Sequence, residues 1–305
     1  MVSQPPTLVL FGANSLCGEA LLEQLPERTA WRCLGRWRPP AVAAERWRRC
    51  DLSDLSAGAL QAAAAALPPG PQIWICLAHL WLLAPFLEAL MAVQPKALDG
   101  LRGLVACSSS SVITKRYAAN RFDRDLARRL AASQEQLLAD CQELGVPARI
   151  LAPTLIHGCT AHHRDHNVET LRRWLRRLPL LPLPAHTGLR QPIPAADLAA
   201  VALDQAQRLT ARDAVSALLP LGGDEELSYR QLLQRLQGGD PRAARCLLLN
   251  LPTRLFQAMA SPLLLLSPKS FEALQRVSAD LAGFPSVAEL LDRPRQPFAP
   301  ASPAE

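Results

Sequence analysis

The sequence predicts an α/β fold: a doubly wound parallel sheet with a smaller C-terminal lobe. Three observations support this prediction. Short apolar runs alternate with helical segments in the first half, a glycine-containing turn follows the first apolar run, and the pattern changes after Pro153. The chain has 305 residues, of which 49% are hydrophobic. This is enough for one sizeable core and an additional lobe.

The elements of the first half follow from apolar runs and their stop signals. Buried strands are predicted at Thr7–Phe11, Trp31–Gly35, Ile73–Ala78, Leu104–Cys107 and Ala148–Leu151. Helical spacing, ended by proline or glycine, predicts helices at Glu19–Leu25, Ala57–Leu67 and Leu126–Leu144. This alternation is typical of a parallel sheet with helices on both faces.

The second half is predicted to be less regular. Thr160–Asn167 is polar and histidine-rich, which predicts a loop, and the proline-rich Pro179–Pro194 is predicted to be irregular. Further helices are predicted at Val168–Leu178, at Leu198–Leu209 with Asp197 as its N-cap, and at Tyr229–Leu236 with Ser228 as its N-cap. A late strand at Val215–Leu221 is expected to rejoin the sheet. We therefore predict a first domain at 1–158, a mixed lobe at 159–293 and a flexible tail at 294–305.

Composition excludes several classes of protein. The net charge of +6 comes from arginines spread along the chain without a basic stripe of stacking aromatics, so nucleic acid is not a predicted partner. The eight cysteines are scattered without a C-x-x-C motif, which indicates reduced thiols in a cytoplasmic protein. No secretory signal is evident. The apolar stretch Leu247–Leu266 is interrupted by polar residues and proline, so no transmembrane segment is predicted, although a surface-lying helix with peripheral membrane association stays open.

A glycine-containing turn after the first strand has the composition of a phosphate-binding loop. Gly12 permits a sharp turn, a small residue at Ser15 permits close approach of a diphosphate, and Gly18 permits close packing of helix on strand. Glycine is usual at the position of Ser15. The predicted cofactor contacts are Gly12, Ala13, Asn14, Ser15, Leu16 and Gly18. The alternative is a tight turn with no ligand.

The residues after the second strand bear on the choice between NAD and NADP. No acid stands where a carboxylate would hold a ribose 2′-hydroxyl, and Arg36 and Arg38 stand there instead. Guanidinium groups suit a 2′-phosphate, so the sequence favours NADP over NAD. The alternative is two surface arginines. Asp51 and Leu52 are predicted to flank the adenine, with Asp51 as a helix N-cap the alternative.

Motifs at ordered spacing extend over most of the chain: Leu8–Ala13, Asp51–Asp54, Ile75–Ala78, Val105–Val112, Arg149–Gly158, Arg164–Val168 and Leu189–Ala199. Together they resemble the extended or atypical short-chain dehydrogenase/reductases of the NAD-dependent epimerase/dehydratase type. The resemblance implies a Rossmann-like domain with a substrate-binding lobe, and a nucleotide sugar or related small alcohol or ketone as substrate. It also implies cofactor contacts from Leu77, Ala78, Ser108, Pro153 and Leu155.

The family's acid–base residues are only partly present. Its members polarise the reacting oxygen with Ser or Thr, and a Tyr in a Y-x-x-x-K motif exchanges the proton while the Lys lowers that Tyr's pKa. Ser109 matches the serine position by its distance from Val112, with Ser108 and Ser110 as close alternatives. When Glu135 is aligned with the glutamate that follows the family's lysine, Ala127 and Ala131 occupy the Tyr and Lys positions, and alanine can do neither job.

Tyr117 and Lys115 are the predicted replacements. Tyr117 lies eight positions after Ser109, which suggests a substitute acid, and Lys115 is expected beside the cofactor ribose. The alternative is a loop aromatic on the surface. One subgroup of the family also lacks Y-x-x-x-K, and this sequence matches it at Thr114, Lys115, Arg124, Leu130 and Glu135.

The remaining polar clusters are assigned to substrate. Ser110, Arg164 and Arg190 are predicted substrate contacts, since guanidinium groups bind phosphate bidentately. The histidines around His157 match no zinc spacing, so no metal is predicted and a loop at the rim of the substrate pocket is expected.

Three hypotheses for the function stay open. The first is an enzyme, which we prefer because hydride chemistry resides mainly in the cofactor. The second is a non-catalytic dinucleotide sensor or assembly subunit, and the third is a scaffold that has lost its cofactor. A homodimer also stays open.

Overall fold

The computed structural model describes residues 5–118, 120–211, 213–261 and 274–300. Its first elements in chain order are β1 (Thr7–Phe11), α1 (Leu16–Leu22), β2 (Trp31–Gly35), β3 (Trp47–Arg49), α2 (Ala57–Ala66), β4 (Gln72–Cys76), α3 (Leu80–Val93), β5 (Leu101–Cys107), α4 (Ser111–Thr114), α5 (Arg121–Glu143) and β6 (Ala148–Pro153). The later ones are β7 (Ile156–His157), α6 (His166–Arg177), β8 (Leu180–Pro184), β9 (Leu189–Arg190), β10 (Ile193–Pro194), α7 (Ala195–Arg208), β11 (Ala217–Leu221), β12 (Leu227–Ser228), α8 (Tyr229–Gly238), β13 (Leu247–Leu251), α9 (Thr253–Ala260) and α10 (Val287–Leu291).

A seven-stranded sheet confirms the predicted fold class. Its strand order is β11-β6-β5-β4-β1-β2-β3, and the pairings from β3 to β6 are parallel. The order reverses between β1 and β4, so the connections after these two strands run to opposite sides of the sheet. A crevice opens at such a switch point, outside the carboxyl ends of the strands. The late strand rejoins the sheet beside β6, as predicted.

The chain divides into two compact units that do not follow a single boundary. The first unit comprises residues 1–109, 129–153 and 195–220, and the second comprises 110–128, 154–194 and 221–305. The division predicted after residue 158 differs, because it assigns 110–128 and 154–158 to the first domain and 195–220 to the lobe. Sequence order alone does not show that the chain passes repeatedly between units.

The core of the first unit lies along the central strands. Trp74 of β4 is fully buried, and its ring lies 5.1 Å from that of Phe11 on β1. Leu83 and Leu87 of α3 are also fully buried. This helix was not predicted, because its residues are almost all apolar and show no clear helical period, and because Pro85 lies inside it.

The second unit contains a parallel pair of strands where the sequence predicted irregular chain. β8 pairs with β13 over five residues of each strand, which corrects the expectation for Pro179–Pro194 and for a surface helix beginning at Leu247. Pro182 and Pro184 are tolerated because an edge strand needs only one row of backbone hydrogen bonds. α9 follows β13, and residues 262–266 of the apolar stretch Leu247–Leu266 lie outside the described residues. In the part of the chain that the structure describes, no helix is long and apolar enough to cross a bilayer.

The predicted cap at Asp197 is wrong, and so is the alternative that made Asp51 a cap. Asp197 lies in the first turn of α7, which begins at Ala195. Ser56, and not Asp51, caps α2 by accepting a hydrogen bond from the Ala59 amide. Ser228 caps α8 as predicted, and its capping box is completed by Gln231.

The segment predicted as a loose tail is docked within the second unit over residues 294–300. The Phe298 amide donates to Glu225 at 2.6 Å, and the Gln296 amide donates to Asp224 at 3.0 Å. The Phe298 side chain is buried in the core of that unit. Residues 301–305 lie outside the described residues. The proline-rich composition suggested a solvated chain, but two adjacent acids supply acceptors for its backbone amides.

Candidate functional site

The turn between β1 and α1 has the close backbone packing expected of a phosphate loop. Gly12 adopts φ 77°, and a Cβ there would lie 2.4 Å from the Ala78 amide nitrogen. A Cβ on Gly18 would lie 2.2 Å from the Gly12 carbonyl oxygen. Neither position accommodates a side chain, because the nearest atoms are backbone. The roles predicted for Gly12 and Gly18 therefore match the geometry.

Ser15 caps the helix at the position where glycine is usual. Its φ is −151°, an extended conformation that any residue adopts. Its hydroxyl accepts a hydrogen bond from the Gly18 amide at 3.1 Å and donates one to the Gly12 carbonyl at 2.7 Å. The hydroxyl is thereby turned toward the turn itself. The first helical amides, Leu16 and Cys17, are not engaged by this cap and have no acceptor within the helix.

A pocket of about 280 Å³ opens above this turn at the carboxyl edge of the sheet. Its walls come from the ends of β1, β2 and β4 and from the chain after β3. Nine predicted cofactor residues line it: Gly12, Ala13, Asn14, Ser15, Arg36, Asp51, Leu52, Leu77 and Ala78. Leu16 and Gly18 belong to the adjoining turn of α1. The structure thus brings most of the predicted cofactor contacts of the first unit into one cavity.

The polar wall of the pocket carries one arginine and one carboxylate. The Ser53 hydroxyl donates to Asp51 at 2.6 Å, and this bond lowers the pKa of Asp51, with a smaller contribution from Arg36. Arg36 is exposed and lines the pocket, whereas Arg38 is not among the lining residues. Ser53 engages one oxygen of this carboxylate, and Arg36 is the side chain of this wall suited to an anion.

Aromatic side chains that sequence reasoning missed complete the pocket. Trp37 and Trp47 line it beside Arg36, and His79 lines it after β4. The His79 ring stacks on that of Trp81 with centroids 4.3 Å apart, and the Arg129 guanidinium lies 5.0 Å from the Trp81 centroid. Burial, and then Arg129, lowers the pKa of His79. Trp37 could have been found from its position directly after Arg36, whereas nothing in the local sequence pattern indicated the stack of His79 on Trp81.

The serine run at the end of β5 is anchored by a glutamine. The Gln134 side-chain amide, which is buried on α5, donates to the Ser108 hydroxyl at 2.8 Å. The Ser108 amide also donates to the Leu151 carbonyl of the neighbouring strand. Ser109 follows at the strand end, half-buried. Gln134 was missed because glutamine on a long helix is usually a surface residue.

Lys115, the predicted partner of the cofactor ribose, belongs to a charged cluster of the second unit that we term the Asp123 cluster. Asp123 accepts hydrogen bonds from Lys115 at 2.7 Å, Asn120 at 2.7 Å and Arg276 at 2.6 Å. Burial alone would raise the pKa of Asp123, but these three donors outweigh burial and lower it to about 2. The lysine therefore has an ionic partner within its own unit.

Tyr117 projects from the second unit into solvent. It is 87% exposed, and its ring contacts the Arg116 guanidinium 5.6 Å from the centroid. Ala127, at the position aligned with the family's tyrosine, is buried, and Ala131 is half-buried one turn later on α5. The phenol of Tyr117 is thus available to a ligand, but the structure does not place it beside a reacting atom.

The predicted substrate residues of the second unit separate into different environments. Arg190 is 7% exposed and donates to the Leu189 and Ala279 carbonyls, each at 2.7 Å, and to the Arg276 carbonyl, which gives it a structural function. Arg164 is exposed in the loop before α6. Ser110 is buried at the start of α4, where its carbonyl accepts from the Thr114 hydroxyl.

The two predicted cofactor contacts near the end of β6, Pro153 and Leu155, lie in different units. Pro153 closes β6 in the first unit and is buried. Leu155 lies in the second unit and packs against its core. The two predicted cofactor contacts are therefore not in one unit.

The predicted histidine rim is only partly correct. His157 is 2% exposed on β7, and its ring meets that of Phe298 edge-on with centroids 4.8 Å apart. Burial lowers the pKa of His157 to about 4, and neither ring nitrogen has a hydrogen-bond partner. His162 and His166 are exposed, as expected of a rim. Within the described ranges, no group of three or more His, Cys, Asp or Glu side chains is placed to hold a metal ion.

Comparisons with known proteins show which solved structures have a similar fold. No family model matches the sequence. No curated protein matches it either. Among solved structures, an epimerase from Methanothermobacter thermautotrophicus aligns with a TM-score of 0.64 and 12% identity, over 96% of this chain and 88% of that one.

Two further structures with bound cofactors share the fold. UDP-glucose 4-epimerase from Brucella ovis, in complex with NAD, aligns with a TM-score of 0.61 and 14% identity over 81% of this chain and 86% of that one. GDP-mannoheptose C4 reductase from Campylobacter jejuni, with NADP bound, aligns with a TM-score of 0.58 and 12% identity over 81% of this chain and 88% of that one. The predicted resemblance to epimerase/dehydratase proteins is confirmed at the level of the Rossmann-like fold.

Proposed function

We propose that the first unit binds a nicotinamide dinucleotide, with its diphosphate at the turn from Gly12 to Ser15. The observation that carries the proposal is the pocket lined by that turn, by Arg36 after β2, by Asp51 and Leu52, and by Leu77 and Ala78 after β4. The backbone at Gly12 and Gly18 is packed too tightly for any Cβ, and the turn that lines the cavity leads directly into the first helical amides of α1. The NAD and NADP bound in the structures of similar fold are consistent with this ligand.

We further propose that the cofactor is NADP rather than NAD. The wall beside the proposed ribose position offers the exposed Arg36 guanidinium, and Asp51 already accepts from Ser53 through one carboxylate oxygen. A guanidinium binds a 2′-phosphate through paired charge-assisted hydrogen bonds, whereas discrimination for NAD uses a carboxylate toward the ribose hydroxyls. The indoles of Trp37 and Trp47 supply flat apolar surfaces for the adenine.

The reaction we propose is epimerisation, dehydration or reduction of a nucleotide sugar or a related small hydroxyl or keto compound. The bound cofactor would supply hydride chemistry. Ser109, at the carboxyl end of β5, is the proposed donor that polarises the reacting oxygen. Tyr117 is the proposed proton donor, and the Asp123 cluster holds Lys115 two residues before it. Arg164 remains the proposed contact for a substrate phosphate, since Arg190 is engaged by backbone carbonyls.

Dinucleotide titration with a matched pair of arginine variants tests the cofactor assignment. Arg36→Ala is expected to weaken NADPH binding by roughly 10- to 100-fold, the effect of losing a charge-assisted bidentate contact, and to leave NADH binding nearly unchanged. Arg38→Ala is the control, because Arg38 is exposed two residues later and does not line the pocket. If neither NADPH nor NADH raises the melting temperature of the parent protein, the proposal fails.

Turnover assays then separate an enzyme from a binding protein. With NADPH bound, the parent is assayed on a panel of sugar nucleotides beside Ser109→Ala and Tyr117→Phe. Loss of a measurable rate in either variant, with NADPH affinity retained, supports the proposed catalytic residues. Tight NADPH binding without turnover on any panel member instead supports a non-catalytic sensor or assembly subunit.

A further inference from the structure

The two-stranded sheet of the second unit has an apolar outer face. The register pairs Leu180 with Leu247 and Pro182 with Leu249, so these side chains lie on the same face. Leu247 is 62% exposed, and Leu180 and Leu249 are also exposed. The opposite face packs in the core through Leu181, Leu183 and Leu248. A half-buried sheet normally presents polar side chains to water, so this outer face departs from the rule.

Apolar side chains are also exposed on the helices that adjoin the two strands. Trp174 and Leu178 are exposed at the end of α6, directly before β8. α9 begins directly after β13 and packs against β8, and it exposes Leu255 and Met259 one turn apart. We define the outer apolar surface as Trp174, Leu178, Leu180, Leu247 and Leu249. It combines a tryptophan with branched aliphatic side chains, the composition favoured at a membrane–water boundary.

The two segments that carry this surface are rich in positive charge. Segments 171–183 and 242–255 contain seven arginines and no aspartate or glutamate: Arg172, Arg173, Arg176, Arg177, Arg242, Arg245 and Arg254. Arg172 and Arg176 are ion-paired with Glu169 and Asp240. Arg173, Arg177, Arg245 and Arg254 are exposed, and each lies within five residues in sequence of a member of the outer apolar surface. An apolar centre with a cationic margin is complementary to a layer whose headgroups carry negative charge.

The charge pattern also discriminates against a second copy of the chain as the occupant. A two-fold symmetric dimer on this surface would bring the same patch of both copies together, and so place arginine margin against arginine margin. Like charges across an interface oppose association. A bilayer presents phosphates at its surface and hydrocarbon beneath, and thus meets both features at once.

We propose that the outer apolar surface binds the second unit to the face of a bilayer containing anionic lipids. Trp174, Leu247 and Leu249 enter the boundary between headgroups and acyl chains, and the exposed arginines pair with lipid phosphates. Binding is peripheral. The inference uses residues of the second unit alone and is independent of the dinucleotide pocket.

Vesicle flotation of the full chain tests the proposal. The probes are vesicles of phosphatidylcholine alone and of phosphatidylcholine with phosphatidylglycerol. The parent is expected to float with the anionic vesicles and not with the neutral ones. Leu247→Glu is expected to lower the vesicle partition coefficient by about tenfold or more, because it removes buried apolar area and adds repulsion. Arg173→Gln combined with Arg177→Gln is expected to lower it by roughly 20- to 30-fold, at about 1 kcal/mol for each arginine.

Val215→Glu is the matched control, since Val215 is 64% exposed in the first unit and receives the same new charge. It is expected to float like the parent, and circular dichroism melting checks that every variant is folded. Vesicles with brominated acyl chains are expected to quench fluorescence of the parent more than that of Trp174→Phe. Failure of the parent to float with anionic vesicles overturns the proposal. So does a parent dimer, measured by light scattering without vesicles, that Leu247→Glu converts to monomer.

Discussion

The dinucleotide pocket of the first unit and the Asp123 cluster of the second are built by different means. At the pocket, backbone atoms stand within 2.4 Å of the Cβ position of Gly12 and within 2.2 Å of that of Gly18. At the Asp123 cluster, one carboxylate joins Lys115, Asn120 and Arg276 by side-chain hydrogen bonds. The first region therefore depends on the absence of side chains, and the second depends on charge. Substitutions that change size should affect the first region, and substitutions that change charge should affect the second.

The largest expected effect is that of Gly18→Ala. The new methyl group would lie 2.2 Å from the Gly12 carbonyl, where backbone and not a flexible side chain must move. We expect the free energy of unfolding to fall by about 3 kcal/mol and dinucleotide binding to be lost with the turn. Chemical denaturation measures the first effect and NADPH titration the second.

Gly58→Ala is the control for that substitution. Gly58 lies in α2 with open space around its Cβ position, so alanine there should stabilise the helix by up to about 1 kcal/mol. If both glycine variants were as stable as the parent, the close packing of the turn would not be a requirement of the fold.

Asp123→Asn should have the next largest effect. It leaves the Lys115 and Arg276 cations without their shared carboxylate in a partly buried site, and we expect a loss of about 2 kcal/mol at neutral pH. The folded pKa of Asp123 is about 2, below its ordinary value of 3.8, so the stability it contributes is present above pH 3.8 and is lost as pH falls toward 2. The variant should lack that part of the acid transition.

Asp125→Asn is the control on the same helix. Asp125 pairs with Arg121 and Arg128, which are both exposed, so its loss should cost less than about 0.5 kcal/mol. Urea unfolding at neutral and acidic pH compares the two variants. Equal losses in both would show that charge in the Asp123 cluster has no special value.

The contrast also explains what the sequence could and could not predict. Gly12 and Gly18 were identifiable because a backbone requirement is met by one residue type at fixed spacing after a strand. The cluster was not identifiable, because Asp123 and Arg276 are 153 positions apart and any carboxylate–cation pair would serve. Lys115 was singled out, but its partner was not. In the same way Arg190 was predicted to contact substrate, while its hydrogen bonds to the carbonyls of residues 276 and 279 depend on tertiary packing.

Fold prediction failed where long-range pairing overrides local composition. β8 contains Pro182 and Pro184, which locally favour irregular chain, yet it pairs with β13 more than sixty residues later. Residues 294–300 were predicted to be loose for a similar reason, since nothing in their own sequence indicates that Asp224 and Glu225 accept their amides. Local pattern predicted the central strands β1, β4, β5 and β6 well because each is largely apolar. The edge strand β3 carries two arginines and has no such pattern.

A third prediction concerns the pH dependence of stability that the buried His157 of the second unit should cause. His157 is buried and neutral, and burial lowers its folded pKa to about 4 from 6.5. The unfolded chain therefore binds more protons between these values, so stability is present above pH 6.5 and is lost as pH falls toward 4. His157→Phe and His157→Gln should each remove this pH dependence, which in the parent amounts to a loss of about 2 kcal/mol by pH 5. Melting curves across this range that stay parallel to the parent's would contradict the assignment.

The smallest expected effect is at Ser15, where size and polarity are both tested within the pocket turn. Ser15→Ala removes the hydroxyl that accepts from the Gly18 amide, and loss of such a cap costs about 1 kcal/mol. Ser15→Gly should cost only a few tenths of a kcal/mol, because glycine is tolerated as an N-cap and the extended φ imposes no strain. Ser56→Ala removes the comparable cap of α2 away from the turn and should lower stability to a similar extent without altering NADPH affinity. If the hydroxyl only organises the turn, Ser15→Gly should bind NADPH at least as tightly as the parent. Weaker binding by Ser15→Gly at unchanged stability would instead indicate that the Ser15 hydroxyl contacts the diphosphate directly.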